Sequence, residues 1–304
     1  MDEPVLIMAF NRPDHLSVLL DRLRQVRPTR VYAALDGPRP GTDDEDRVRR
    51  CRELIAGIDW PCEVRTLFQE TNLGCGRGVS TAITWFFEHE ERGIILEDDV
   101  IPDPSFFDFA MELLDRYQDD HRVFSITGCN LVPPDAMSNP EQAYRFATMP
   151  NVWGWATWRR SWAGYRLDAR GWWRRITPHR LLVANRYRPA GLAFWASTME
   201  ITGRGGVDTW DWQLMFEAVR RGALVATPNT NLVQNIGFDD QATHTTRKEL
   251  HFPATGKVMV PTAPVPMRTD IRADAWMRKN VYRMSVIGSL DWARRFAIDR
   301  KRLR

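Results

Sequence analysis

The chain opens with an apolar run of strand length, Pro4 to Phe10, broken by Asn11-Arg12-Pro13. Leucines at 16, 19, 20 and 23 then recur at the spacing of one helical face, which predicts a helix over His15 to Arg24. A second strand, Arg30 to Leu35, ends in the turn signal Asp36-Gly37-Pro38, and a charged helix around Glu45 to Ile58 leads to a third strand at Cys62 to Phe68. After a loop from Gln69 to Gly78, the pattern repeats with a helix over Val79 to His89, a buried strand at Ile94-Ile95-Leu96, a helix over Pro104 to Tyr117 and a strand at Val123 to Thr127. Strands alternating with helices in this way predict an α/β fold of the Rossmann-like kind, a mostly parallel central sheet with flanking helices.

Beyond Cys129 the periodicity weakens into Pro- and Trp-rich connections up to about Arg175, with a helix expected around Trp210 to Arg221 and a strand at Ala223 to Ala226. The stretch from Asp274 to Arg304 reads as helix with basic ends. This divides the chain into residues 1–128 as an α/β half, residues 129–270 as a second half built onto the same sheet, and residues 271–304 as a C-terminal basic helical tail. Nine of the thirteen tryptophans lie between Trp153 and Trp212, so the second half is also compositionally distinct.

Composition narrows the function classes. With 43% apolar and 27% charged residues the chain is an ordinary globular sequence, and 42 basic against 39 acidic residues give +3, too weak a charge to imply nucleic acid. The four cysteines, Cys51, Cys62, Cys75 and Cys129, follow no metal-ligand spacing and suggest buried reduced thiols. The N-terminus lacks the basic segment and long apolar stretch of a signal peptide, and no run approaches the ~20 apolar residues that span a bilayer, so a cytoplasmic protein is expected. The tail from Asp291 to Arg304 carries six basic and two acidic residues around Trp292, Phe296 and Ile298, which suits either a solvated helix or contact with anionic lipid at the inner face of the membrane.

The chemistry concentrates where the buried strand Ile94 to Leu96 ends in Glu97-Asp98-Asp99. In open α/β sheets ligands bind beyond the carboxyl ends of strands. Three adjacent carboxylates repel one another unless a cation joins them, and Mg²⁺ or Mn²⁺ held by one or two carboxylates together with substrate phosphates is a common solution. Strand alternation would place Glu97 and Asp99 on one side and Asp98 on the other. A solvated acidic loop capping the next helix is the plainer reading of the same tripeptide. Asn11 and Arg12, Asp36, and Asn72-Leu73-Gly74 converge on the same edge of a parallel sheet. Arg12 suits a diphosphate or a base face, and Asp36 suits a ring N–H of uracil or guanine; as a turn residue and a surface charge they would do neither. Arg77, in a Gly-flanked loop, has the reach for a phosphate or ribose.

With these residues in place the chain resembles the GT-A glycosyltransferases, whose D-x-D-like acidic motif coordinates a metal on a nucleotide-sugar diphosphate, and most of all the inverting N-acetylglucosaminyltransferase I family. The likeness rests on EDDVIPDPSFF (97–107), MPNVWGWATW (149–158), VDTWDWQ (207–213) and the segment ending in Thr243-His244, and covers about Pro4 to His244. It implies that Asp99 ligates Mn²⁺ or Mg²⁺, that Glu97 and Asp98 touch ribose and donor sugar, that Asp36 reads the base with Arg12 beside the nucleotide, and that His244 contacts or closes over the diphosphate. The family's catalytic base falls on Asp211, although its tandem Asp pair reads Trp210-Asp211 here. An inverting transfer independently needs a carboxylate to take the acceptor proton, a role for which Asp208 competes, as either residue does for a helix cap. Trp153 and Trp155, flanking Gly154, are the candidates for acceptor contact, since indole faces stack on sugars.

The expected activity is therefore a metal-dependent transfer of sugar from a nucleoside diphosphate, UDP by the family likeness, to a saccharide, lipid-linked or protein acceptor, as in bacterial glycan biosynthesis. Nucleotidyl or phosphoryl transfer would use the same pocket, though no P-loop is present, and a carbohydrate-binding protein would explain the tryptophans but leave the acidic triplet without a task.

Overall fold

The computed structural model describes residues 1–186, 188–237 and 253–285. The elements follow the sequence pattern closely in the first half: β1 (Val5–Ala9), α1 (Pro13–Val26), β2 (Arg30–Leu35), α2 (Asp44–Ala56), β3 (Glu63–Phe68), α3 (Cys75–His89), β4 (Arg92–Glu97), β5 (Val100–Pro102), α4 (Pro104–Arg116) and β6 (Val123–Thr127). The second half adds β7 (Tyr144–Ala147), β8 (Trp155–Trp158), α5 (Arg159–Trp162), α6 (Pro178–Ala184), α7 (Pro189–Gly203), α8 (Asp211–Arg221), β9 (Leu224–Pro228), β10 (Val233–Asn235) and α9 (Ile271–Asn280).

Eight strands form one sheet in the order β3-β2-β1-β4-β8-β6-β9-β7. β1 pairs in parallel with β2 and β4, β2 with β3, and β6 with β9, whereas β8 runs antiparallel to β4 and β6, and β7 antiparallel to β9. The result is the expected α/β fold with a mostly parallel central sheet. The two halves of the chain share it, because β8 from the Trp-rich half inserts between β4 and β6.

β1 and β4 carry no exposed residue because both faces of the sheet are covered. On one face α1, α2 and α4 bury Leu16, Leu19, Leu23, Cys51, Phe106 and Leu113 against Val5, Ile7 and Leu96. On the other, α3 and α8 bury Ile83, Phe86 and Leu214 against Leu6, Ile95 and Trp155. Removing one such leucine costs about 2–5 kcal/mol in a packed interior.

Three departures from the sequence pattern have a plain physical basis. α7 (PAGLAFWASTMEITG) is apolar on nearly every side, so no polar stripe marks it as a helix; it packs Phe194, Trp195 and Met199 into a third cluster with Met215 and Phe216 of α8. α3 begins at Cys75, not Val79, although Gly76 and Gly78 lie in its first turn. The C-terminal helix starts at Ile271, capped by the Asp270 carboxylate, and ends at Asn280, short of the extent its composition suggests; residues 286–304, which hold the basic tail, lie outside the described residues.

Candidate functional site

The chain runs from β1 outward to β2 and β3, then returns to place β4 on the opposite side of β1. That reversal is a topological switch point, where the loops leaving neighbouring strands turn apart and open a crevice. A cleft of about 770 Å³ lies there, within the range of small-molecule sites. Its lining joins Phe10, Asn11 and Arg12 after β1, Asp36 and Arg39 after β2, Gln69 and Asn72 after β3, and Glu97, Asp98 and Asp99 after β4. Trp153, Asp208, Asn235 and Gly237 close it from the second half.

All three carboxylates of the acidic triplet face this cleft. Strand alternation does not separate them, because β4 ends at Glu97 and the next two residues form the tight turn into β5. Asp98 accepts the Phe10 backbone N–H at 3.4 Å, and Asp99 accepts from Arg12 Nη1 at 2.8 Å, with Asp98 at 3.9 Å from the same nitrogen. Loss of water and then repulsion by Asp99 push the Asp98 carboxyl up to about 7, with Arg12 opposing. Burial, followed by the charges of Asp99 and Asp98, pushes Glu97 well above its ordinary value. The three carboxyl groups thus repel one another more than the single Arg12 guanidinium offsets, and they offer hard oxygen donors.

Those donors fit a divalent cation of the Mg²⁺ or Mn²⁺ type that completes its shell with ligand phosphates. They do not form a closed cage: among the described residues no group of three or more His, Cys, Asp or Glu side chains is arranged to hold a metal. β10 pairs with β5 and brings the backbone of Gly237 against Asp99, whose carbonyl accepts the Ile236 N–H at 2.8 Å. A Cβ on Gly237 would collide with Asp99 Oδ2 and come within 3.0 Å of Arg12 Nη1.

Asp36 lies in the cleft but is heavily engaged. Its Oδ1 accepts from the N–H of Gly37 at 2.9 Å and of Leu73 at 2.8 Å, and its Oδ2 from Asn72 Nδ2 at 3.0 Å and the N–H of Gly74 at 3.2 Å. Burial raises its carboxyl despite those backbone bonds. Asn11 likewise points to a partner, donating to Asp44 Oδ1 at 2.6 Å. Asp44 is 1% exposed and accepts Arg39 through Nε at 2.6 Å and Nη2 at 3.0 Å, bonds that hold its carboxyl far below the usual range. In sequence Asp44 is one acid in the run Asp43 to Asp46, and nothing there distinguishes it as the buried member that ties two strand-end loops together.

Asp208 accepts the N–H groups of Cys75 at 2.8 Å and Gly76 at 2.9 Å, capping α3 across 133 and 132 residues of chain. Gly74 has φ +80°, and a Cβ there would meet the same carboxylate at 2.6 Å. Capping moves the start of α3 forward to Cys75, which leaves Arg77 exposed on the first turn and away from the cleft lining. Asp211 is the first residue of α8, where its Oδ1 accepts the Trp212 N–H at 2.8 Å and the Thr209 hydroxyl. It is not part of the cleft lining, yet its charge acts on both Glu97 and Cys75. The Cys75 thiol is pushed up by burial first and then by the charges of Glu97, Asp208, Asp211 and Asp36, so it stays protonated.

The two tryptophans flanking Gly154 part company. Trp153 lines the cleft, half-buried, with its backbone N–H held by Asn151 Oδ1 at 3.1 Å. Trp155 is 1% exposed and stacks on Trp210 with ring centroids 6.0 Å apart, so its indole belongs to the core and offers no face to an acceptor. The strand β8 explains the difference, since pairing with β4 and β6 turns Trp155 inward. His244 lies outside the described residues.

No helix among the described residues is long and apolar enough to cross a membrane. No protein-family model matches the chain, and no curated protein matches it in sequence. Among solved structures, the mannosyltransferase PcManGT from Pyrobaculum calidifontis, in complex with GDP-Man and Mn²⁺, is 15% identical over 72% of this chain and 74% of its own, with a TM-score of 0.38. HddC from Yersinia pseudotuberculosis is 11% identical over 52% of this chain and 77% of its own, at 0.34. The mannose-1-phosphate geranyltransferase from Thermus thermophilus is 14% identical over 75% and 74%, at 0.32. These likenesses are loose, and the chemistry of the site rests on its own residues.

Proposed function

We propose that this chain is a GT-A glycosyltransferase that moves a sugar from a nucleoside diphosphate, with UDP the leading candidate, to an acceptor hydroxyl with inversion of configuration. The observation that carries the reading is the convergence of Glu97, Asp98 and Asp99 with Arg12 on the floor of the switch-point cleft. Asp99, assisted by its neighbours, would hold Mn²⁺ or Mg²⁺, which supplies positive charge to a departing diphosphate. Arg12 adds a fixed cation beside it and helps hold the diphosphate in register. Glu97 and Asp98 face the same space and suit the hydroxyls of ribose and donor sugar.

Asp211 would accept the proton of the attacking hydroxyl, help worth roughly 10²- to 10⁴-fold in rate. Its bonds from Thr209 and Trp212 fix the carboxylate on the α8 terminus, a rigid element. Trp153 offers an indole face to the acceptor. Residues 1–128 then supply most donor contacts and residues 129–270 the base and acceptor surface. The basic tail and His244 would add a membrane-side contact and a diphosphate contact.

The test is turnover of UDP- and GDP-sugars with Mn²⁺ present, read as nucleoside diphosphate release and by the anomeric configuration of the product. Asp99→Ala should lose donor and Mn²⁺ binding together, while Asp211→Asn should bind donor and transfer at least ~10²-fold more slowly. Full activity of Asp99→Ala in chelator would refute the metal role, and near-normal turnover of Asp211→Asn would remove it as the base.

A further inference from the structure

The carboxylate of Asp36 is an unsuitable reader of a nucleotide base, although it lies in the cleft. It already accepts four hydrogen bonds, from Gly37, Asn72, Leu73 and Gly74, and a carboxylate has about four lone-pair sites. A base N–H would have to displace one of them. The next polar groups along the same wall are Asn72 and Gln69, both at the carboxyl end of β3 and both lining the cleft.

Asn72 Nδ2 lies between two acceptors, Asp36 Oδ2 at 3.0 Å and the Gly37 carbonyl at 3.1 Å. Both neighbours can only accept, so the amide has one orientation and its oxygen must be the other atom. Among the described residues no donor approaches that oxygen, and it is not sealed from solvent. The Gln69 side-chain amide likewise makes no hydrogen bond among the described residues. Beside them Met8, Ala34, Leu67 and Val79 offer an apolar surface for the face of a ring.

Resting on the nucleoside diphosphate reading above, we propose that Asn72 is the base-reading residue: Asp36 fixes its amide, Asn72 Oδ1 accepts a ring N–H, and Gln69 donates to the carbonyl beside that N–H. Uracil (N3–H beside O4) and guanine (N1–H beside O6) share this edge. Cytosine and adenine present a ring lone pair where the fixed oxygen stands, which repels them, so the site discriminates by repulsion as well as attraction.

The experiment is calorimetric titration of the full chain in Mn²⁺ with UDP, GDP, CDP and ADP, with pyrophosphate as a base-free probe, and with N3-methyl-UDP and N1-methyl-GDP, in which the ring donor is capped. Ring methylation should weaken whichever of UDP and GDP binds by about tenfold or more, the factor an unmet hydrogen bond costs. Asn72→Ala should lose a similar factor toward the unmethylated ligand, show no further loss on methylation, and keep pyrophosphate binding. Asn72→Ser, which retains a small polar side chain, gives the same comparison where alanine loosens the loop. Equal binding of methylated and parent nucleotides overturns the proposal, as does a methylation penalty that survives both substitutions, which would return the ring N–H to Asp36. Failure of pyrophosphate and of every nucleoside diphosphate to bind would instead bring down the nucleotide reading itself.

Discussion

Gly237 is the residue on which the geometry of the acidic triplet turns most directly. Its backbone lies against Asp99 with no room for a side chain, because a Cβ would overlap Asp99 Oδ2 and crowd Arg12. Gly237→Ala is therefore expected to push Asp99 off its present position at an overpacking cost of about 1–3 kcal/mol. Mn²⁺ affinity, read by electron paramagnetic resonance, should fall by about tenfold or more while the far-ultraviolet spectrum stays that of the parent. Unchanged affinity would mean that Asp99 is not a ligand, or that the strand β10 yields freely. At this scale the sequence places the acidic triplet at the strand end that borders the cleft, and it does not show how each carboxylate is held. The tripeptide at a buried strand end is legible because charge after an apolar run is rare. The saturation of Asp36 by the loop at Asn72 to Gly74, the burial of Asp44 and the inward turn of Trp155 depend on contacts between distant segments, and no local pattern encodes them.

Among the elements, α3 shows how the second half of the chain shapes the first. Its N-terminus has two glycines in the first turn, a weak start by propensity, and the cap comes from Asp208. Asp208→Ala would leave the Cys75 and Gly76 N–H groups without that acceptor, a loss of about 0.5–2 kcal/mol. The amides of Cys75 and Gly76 should then exchange hydrogen faster than in the parent, with the middle of α3 unaffected. Because Asp36 grips the loop entering this helix, nucleotide affinity should weaken as well; exchange rates equal to the parent's would show that α3 holds its first turn without the cap. This separates Asp208 from Asp211, whose removal should slow transfer and spare the helix. The amphipathic elements were readable from spacing alone, as with the leucine face of α1. α7 was not, since a helix buried on nearly all sides lacks the alternation that reveals one, and β8 was hidden within a run of tryptophans whose period is neither that of a strand nor that of a helix over four residues.

For the molecule as a whole, the proposed role of Asp211 requires α8 to be held rigidly, since that helix carries Asp211 at one end and packs against two of the hydrophobic clusters. Its middle is anchored by Glu217, which is 0% exposed and bound by Arg175 at 2.6 Å, Arg220 through Nε at 2.9 Å and Arg221 at 2.7 Å. Burial alone would raise the Glu217 carboxyl, but the bonds from Arg220 and Arg221 outweigh it and hold the group below its ordinary value. A carboxyl lowered in the folded state contributes stability that is fully present above its unfolded pKa, about 4.3, and is lost as pH falls through the folded value. Glu217→Gln removes the charge and leaves three guanidinium groups without their buried partner, which costs stability at neutral pH. The gap in denaturant midpoint between parent and Glu217→Gln should be widest above about pH 5 and narrow as pH falls from there through the lowered folded value, because the parent then loses by protonation what the variant lacks already. Since the arginines come from the segment before α6 and from α8 itself, the proposed role of Asp211 as base predicts that weakening this hub slows transfer more than it weakens donor binding, because the strand-end loops of the first half stay in place. A midpoint gap that does not change with pH would show that the charge of Glu217 is not the source of the stabilisation.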